Sequence, residues 1–170
     1  MRSERKIALV MLTISVAAGF LANYYTKTDA ELIEDYLKGV ERALESCDFE
    51  RCMALVHPRY HFDGVSAGEL KRMGLGLMMR APARDVIIVK RSIRVAGARA
   101  TVYFSLIYLP KPEARLAYGV KSTWRIDLLK VESFRPVRRP CWLAIGIRPI
   151  TMGQEPVRHL RDLKHCVVLR

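Results

Sequence analysis

The residues of this chain best suited to covalent chemistry, metal ligation or proton transfer are four cysteines and four histidines. The cysteines are Cys47, Cys52, Cys141 and Cys166; the histidines are His57, His61, His159 and His165. Zinc sites draw their ligands from closely paired Cys and His. Here there is no C-x-x-C and the histidines are scattered, so no metal and no cofactor is expected. An even cysteine count in an exported domain suits two disulfides. Cys47 and Cys52 flank Asp48-Phe49, where a bridge would clamp a corner between helices. Cys141 with Cys166 would then tie the tail to the last strand. The other assignment is that some of the four are buried small apolar residues, and both stay open. His57 precedes a proline and His61 alternates away from Tyr60 and Phe62, which gives them capping or surface roles. No nucleophile elbow, phosphate-cradling glycine loop or paired carboxylates of glycosidase character are present. Gly74-Leu75-Gly76 lies inside a helical pattern and serves a close helix contact. Asp63-Gly64 is an ordinary turn pair.

The elements that hold these residues are legible from capping and periodicity. Thr28-Asp29-Ala30-Glu31 has capping-box spacing. Leu32, Ile33, Tyr36, Leu37, Val40, Ala43, Leu44 and Cys47 then recur at helical intervals, opposite Glu34, Asp35, Lys38, Glu41, Arg42 and Glu45. This predicts an amphipathic helix to about Ser46. Asp48 caps a second, short helix through Val56, which His57-Pro58 ends. Tyr60 and Phe62 alternate with His61 and Asp63 before Gly64 turns the chain. Ser66-Ala67-Gly68-Glu69 is another capping box and opens a third helix with a Leu70, Met73, Leu77, Met78 stripe, stopped by Pro82.

From Asp85 the period becomes two. Ile87, Val89, Ile93 and Val95 alternate, Ala96-Gly97-Ala98 turns, and Ala100, Val102, Phe104, Leu106 and Tyr108 alternate again. A third strand runs from Tyr118 through Val120, Trp124, Ile126 and Leu128, and a fourth spans Cys141–Ile147. Three helices followed by a four-stranded antiparallel meander make an α+β fold rather than βαβ repeats. Val157–Lys164 reads as a short helix in the basic tail.

Ahead of this domain, Arg2, Arg5 and Lys6 precede Ile7–Thr26, which runs 20 residues without a formal charge. Roughly 20 helical residues cross a bilayer's hydrocarbon core. The basic flank places the N-terminus in the cytoplasm, and Asn23, Tyr24 and Tyr25 suit the headgroup region. The expectation is an uncleaved anchor, with the domain periplasmic or otherwise extracytoplasmic. A cleaved signal peptide, cut near Ser15-Val16-Ala17, is the competing reading and leaves the domain secreted. The division is thus 1–27 anchor or signal, 28–147 domain and 148–170 basic tail.

The net charge is +12, and residues 135–170 hold eight basic side chains against two acidic ones. Arg135, Arg138, Arg139, Arg158 and Arg161 form a candidate surface for anionic lipid or envelope polymer. Export argues against nucleic acid as a partner.

The chain resembles the nuclear transport factor 2-like superfamily, the cone-shaped fold shared with SnoaL-type cyclases and ketosteroid isomerases. The residues carrying the likeness are the long first helix, the Cys47-Asp48-Phe49-Glu50 corner and Met53-Ala54-Leu55-Val56-His57-Pro58-Arg59-Tyr60. It continues through Phe62-Asp63-Gly64-Val65-Ser66, the Glu69-Leu70-Lys71 helix start, and the meander with Trp124 and Trp142, over about residues 28–147. The resemblance implies a curved sheet wrapped on helices around a conical pocket. Members use it for isomerisation, cyclisation, dehydration, ligand binding or assembly. By this likeness Asp63 stands where isomerase-like members carry a general base. Their oxyanion-donating tyrosine would fall near Val40, and Tyr36 one turn earlier is the nearest candidate. Asp127 alternates away from Trp124, Ile126 and Leu128, so no second acid is placed in the pocket. The anchor-plus-cone layout is similar to the bitopic inner-membrane subunit of type IV secretion systems. The leading expectation is therefore a membrane-anchored, non-enzymatic adaptor acting on a protein partner or its own copies. The alternatives are a small-molecule binder or isomerase-like enzyme using Asp63, and a basic lipid- or polymer-binding domain.

Overall fold

Two capping boxes and one Schellman turn set the helical half of the molecule. Thr28 Oγ1 accepts from the Glu31 N–H, and the Glu31 carboxylate accepts from the Thr28 N–H at 2.7 Å. This reciprocal pair starts helix α1, Asp29–Glu45. Its end is a Schellman motif: the Asp48 N–H reaches Ala43 O at 3.0 Å and the Cys47 N–H reaches Leu44 O at 3.2 Å. Cys47 stands at the left-handed position with φ 51°, where glycine is usual. Asp48 then caps helix α2, Phe49–Ala54, by accepting from the Arg51 N–H. The second box, Ser66 with Glu69, opens helix α3, Ala67–Arg80.

The computed structural model describes residues 11–16, 27–80, 82–111, 120–133, 139–152, 155–157 and 159. Residues 11–16 are helical, with Met11, Leu12, Ile14 and Val16 exposed. The rest of the expected membrane segment lies outside the described residues. Among the described residues no helix is long and apolar enough to cross a membrane.

Between α2 and α3, strands β1 (His61–Phe62) and β2 (Val65–Ser66) form a separate hairpin. The sheet proper is β3 (Ala83–Ala96), β4 (Arg99–Pro110), β5 (Val120–Ser133), β6 (Arg139–Met152) and β7 (Glu155–Pro156), antiparallel in that order. The fold is α+β, as the periodicity predicts, with one strand more than the expected four. The third and fourth strands are also longer than the sequence reading. Leu129 pairs with Leu143 and Val131 with Cys141, a ladder hidden from local alternation by the irregularity between Asp127 and Leu128. The sheet thus continues past Ile147, where the sequence reading ends the domain. Val157 and His159 are in no helix, and the rest of the expected tail helix lies outside the described residues.

Helix α1 lies against the sheet. Ile33, Tyr36 and Leu37 pack with Val102, Phe104, Ile126, Leu128, Trp142 and Ala144. Each large apolar side chain so buried stabilises the fold by roughly 1.5–3 kcal/mol before chain entropy is counted. The helix crosses the sheet on a diagonal. Its first turn is tied to β5 by Asp29 and Lys130 at 2.7 Å. Its last two turns reach the outer edge of β3, where Glu41 accepts from the Ile88 N–H at 3.0 Å and Glu45 from the Val86 N–H at 3.3 Å. A second cluster joins Val65 to Leu70, Met73, Met152 and Val157, and Trp124 belongs to both clusters. Gly74 has a packing reason, as expected: a Cβ there would meet Phe49 of α2 at 2.9 Å.

Candidate functional site

Asp63 occupies the two-residue turn between β1 and β2. Its φ is 53° and that of Gly64 is 69°, the paired left-handed geometry that Asp-Gly supplies in a type I′ hairpin. From there its carboxylate faces His159, whose Nδ1 lies 3.2 Å from both oxygens. The pair is partly solvated, with 26% of the Asp63 side chain exposed.

The interior carries phenols and a thiol. Tyr36, on the inner face of α1, is buried among the core residues. Burial pushes its phenol well above the ordinary range, with Cys52 and Tyr60 adding to the effect. Cys52 is raised to about 11, by burial first and then by Asp48 and Cys47. Tyr60 is raised to about 12, chiefly by burial; the Ile147 backbone opposes the shift and Asp63 reinforces it. Asp63 is thus within electrostatic reach of Tyr60, and Tyr60 of Tyr36. Among the described residues Tyr60 Oη, Trp142 Nε1 and Ser105 Oγ are buried without a hydrogen-bond partner. None of the carboxylates among the described residues is buried.

Asp127 anchors a second polar group, on the sheet face away from Ile126 and Leu128. Its Oδ1 accepts from Thr101 Oγ1 at 2.8 Å and from Arg125 Nε and Nη2 at 3.1 and 3.0 Å. The bond to Asp127 holds the Arg125 guanidinium above its usual range. Arg125 also lies 6.0 Å over the Tyr103 ring, and Arg148 lies 5.2 Å over Phe62. Three bonds converging on one carboxylate oxygen make this group a clasp between β4 and β5.

With this geometry in hand, several solved structures are similar. A nuclear transport factor 2-like protein from Cytophaga hutchinsonii aligns with a TM-score of 0.57 at 13% identity, over 77% of this chain and 100% of that one. A putative scytalone dehydratase from Novosphingobium aromaticivorans gives 0.54 at 14% identity, over 77% and 90%. The fold is nuclear transport factor 2-like. Bd1075 of Bdellovibrio bacteriovorus matches at a TM-score of 0.53 and 11% identity over 69% of this chain, which spans 39% of the length of Bd1075. No family model and no curated protein matches the sequence.

Within this nuclear transport factor 2-like fold the residues expected to act together are separated by role. Tyr36 is core volume on α1, whereas Asp63 is the tip of a hairpin held by His159. Cys47, Cys52 and Cys141 are free thiols, so the expected Cys47–Cys52 bridge is open, and Cys166 lies outside the described residues. Arg135, Arg138, Arg158 and Arg161 also lie outside them, and of Arg139 only the backbone is described, at the start of β6. His57 has the capping role expected of it: its Nδ1 accepts from the Arg59 N–H at 3.1 Å. Among the described residues no cluster of His, Cys, Asp or Glu could hold a metal ion.

Three features escaped the sequence. The Asp127–Arg125–Thr101 clasp depends on Thr101 lying opposite Asp127 across β4 and β5, a register no local pattern states. The unpartnered Tyr60 and Trp142 read only as aromatic core positions. Glu41 and Glu45 read as solvated charges on the polar side of α1, and their spacing of four was the one available hint that they act as a pair.

Proposed function

We propose that the chain is a membrane-anchored, non-enzymatic adaptor: residues 7–26 hold a nuclear transport factor 2-like domain at a membrane, where it positions a protein partner. The observation that carries this is the place of Asp63. A general base for isomerase-like chemistry must reach substrate inside the cone. Asp63 instead completes a hairpin turn and faces His159, and no described carboxylate is buried in its stead. The tether is supported by the uninterrupted apolar run after Arg2, Arg5 and Lys6. It is supported too by the helical residues 11–16, whose apolar side chains stand exposed. In this arrangement the N-terminus is cytoplasmic and the domain extracytoplasmic.

Fractionation of cells expressing the intact chain tests the tether. Retention in the membrane after alkaline carbonate extraction, at full length, is expected. Recovery of an N-terminally shortened chain in the soluble exported fraction would overturn it. Cross-linking in intact membranes, followed by capture in detergent, then tests the adaptor role; recovery of the monomer alone counts against it.

A second reading has one specific observation in its favour. Among the described residues Tyr60 Oη and Trp142 Nε1 are each buried without a hydrogen-bond partner, and a small carbonyl- or ether-bearing molecule that reached them would supply acceptors. Quenching of Trp142 fluorescence by such a ligand, lost in Tyr60→Phe, supports it; an unresponsive interior removes it.

A further inference from the structure

Strand β3 is the open edge of the main sheet, and its two halves are treated differently. The Ala96–Arg99 pair closes a two-residue turn in which Gly97 takes φ 59°, as the first position of a type II′ turn requires. Flanking residues of such a turn bond to one another, so Ala96, Arg94 and Ser92 bond inward to β4. The amides and carbonyls of Ile93 and Val95 therefore point outward. Beyond the irregularity between Lys90 and Ser92 the alternation shifts, and Val86 and Ile88 point outward instead. Glu45 and Glu41 of α1 occupy those amides, which verifies the assignment independently. Because α1 runs diagonally away toward Lys130, it closes the edge at Val86 and Ile88; among the described residues nothing pairs with the edge at Ile93 and Val95. Val95 is 42% exposed.

Charge then decides what can pair there. Between Val86 and Pro112 the chain has no carboxylate, while Arg94 and Arg99 fall on or beside the open half. Among the described residues neither Arg94 nor Arg99 has a carboxylate partner. A second copy of β3 laid alongside would bring like charges together, which is how edge strands avoid self-pairing. The same residues attract an acidic strand. Register sets its pattern: Ile93 and Val95 share the core-side face with Val102 and Ala100, and Arg94 lies with Thr101 on the other.

We propose that the open half of β3, Lys90–Ala96, binds an extended acidic segment of a partner protein by strand addition, with apolar residues beside Ile93 and Val95 and a carboxylate beside Arg94. Main-chain bonds to Ile93 and Val95 supply affinity, and the alternating side chains supply specificity. The inference rests on the adaptor reading for its biological use, and names that adaptor's partner by its chemistry.

The test uses the intact chain in detergent and a labelled eight-residue peptide of alternating aspartate and valine. Two isomers are compared with it, N-methylated on the odd or on the even residues. Saturable binding is expected at or below about 1 mM, the weak end of specific association. One N-methylated isomer should bind at least about tenfold more weakly and the other nearly unchanged, because only alternate amides face the edge. Arg94→Glu should weaken binding about tenfold, whereas Arg84→Glu, whose arginine already pairs with Asp85 at 2.8 Å, should not. Amide exchange at Ile93 and Val95 should slow on binding. Equal affinity for both isomers, equal loss in both arginine variants, or no binding at about 1 mM would each overturn the proposal. A chain that binds the peptide but leaves the membrane on extraction would sink the tether alone, so the two failures are told apart.

Discussion

The bonds from Glu41 and Glu45 to the edge of β3 give the sharpest test of how this fold is held. Removing the acceptors with Glu41→Ala and Glu45→Ala leaves the Ile88 and Val86 amides to water. A hydrogen bond to a charged group contributes roughly 1.5–3 kcal/mol when well shielded. Here both carboxylates are partly solvated, and the Glu45 bond is the longer, at 3.3 Å against 3.0 Å. That sets about 1 kcal/mol for Glu41 and about half as much for Glu45, less a few tenths recovered because alanine favours helix slightly more than glutamate. The double variant should therefore lose about 1–1.5 kcal/mol and melt roughly 3–6 °C lower for a chain of this size. Glu41→Gln keeps an acceptor and should lose only about half of what Glu41→Ala loses. The assay is denaturant unfolding of the intact chain in detergent, with amide exchange read at Val86 and Ile88. Exchange should quicken at both amides in the double alanine variant, and at Ile88 alone in Glu41→Ala. If Glu41→Gln and Glu41→Ala were equally unstable, or Ile88 exchange were unmoved, the carboxylates would not be closing the edge.

Four further outcomes follow from the same geometry. Asp63→Asn, which tolerates the left-handed turn, should unfold within about 0.5 kcal/mol of the parent, whereas Asp63→Val should cost about 1–2 kcal/mol by forcing a branched side chain to φ 53°; equal behaviour in denaturant titrations would remove the turn explanation. Gly146→Ala places a Cβ 3.0 Å from Phe62 and 3.3 Å from the Asp127 carboxylate, and should cost about 1–3 kcal/mol, partly restored by Phe62→Leu. Stability should fall as pH rises from about 9 toward 11–12: Cys52, Tyr60 and Tyr108 keep their protons longer in the folded state than unfolded, so the unfolded chain releases protons first. A pH titration of the denaturation midpoint reads this, and a midpoint level to pH 12 would contradict it. Thr28→Ala should lose about 1 kcal/mol with its capping box, seen as faster amide exchange in the first turn of α1.

Much of this fold was legible because its local signals are strong. Thr28 with Glu31 and Ser66 with Glu69 marked two helix starts to the residue, and period-two alternation found each long strand. Strand ends were less legible, because Leu129–Ser133 and Arg139–Leu143 are stabilised by pairing with each other rather than by their own pattern. Strand β7 is two residues long and exists only as a partner to Thr151 and Met152. The site was harder still. Asp63-Gly64 announces a turn on its own, but that His159 would lie against it is a contact across 96 positions. Beyond their spacing of four, Glu41 and Glu45 carried no mark separating them from the other charges on α1, since their function depends on where the diagonal of the helix ends.

That diagonal also fixes how the domain would bear load. A pull arriving through Lys27 enters at Thr28, the first cap of α1, and not at the free end of any strand. The helix is fastened at its start to Lys130 and at its end to the backbone of β3, with Ile33, Tyr36 and Leu37 seated between. Force along it is therefore shared by all of these attachments at once, and resistance to forced unfolding is set by the rate at which they fail together. The meander β3 to β7 therefore takes its load through these side attachments and not from a free strand end, the geometry in which its hairpins would unzip one pair at a time.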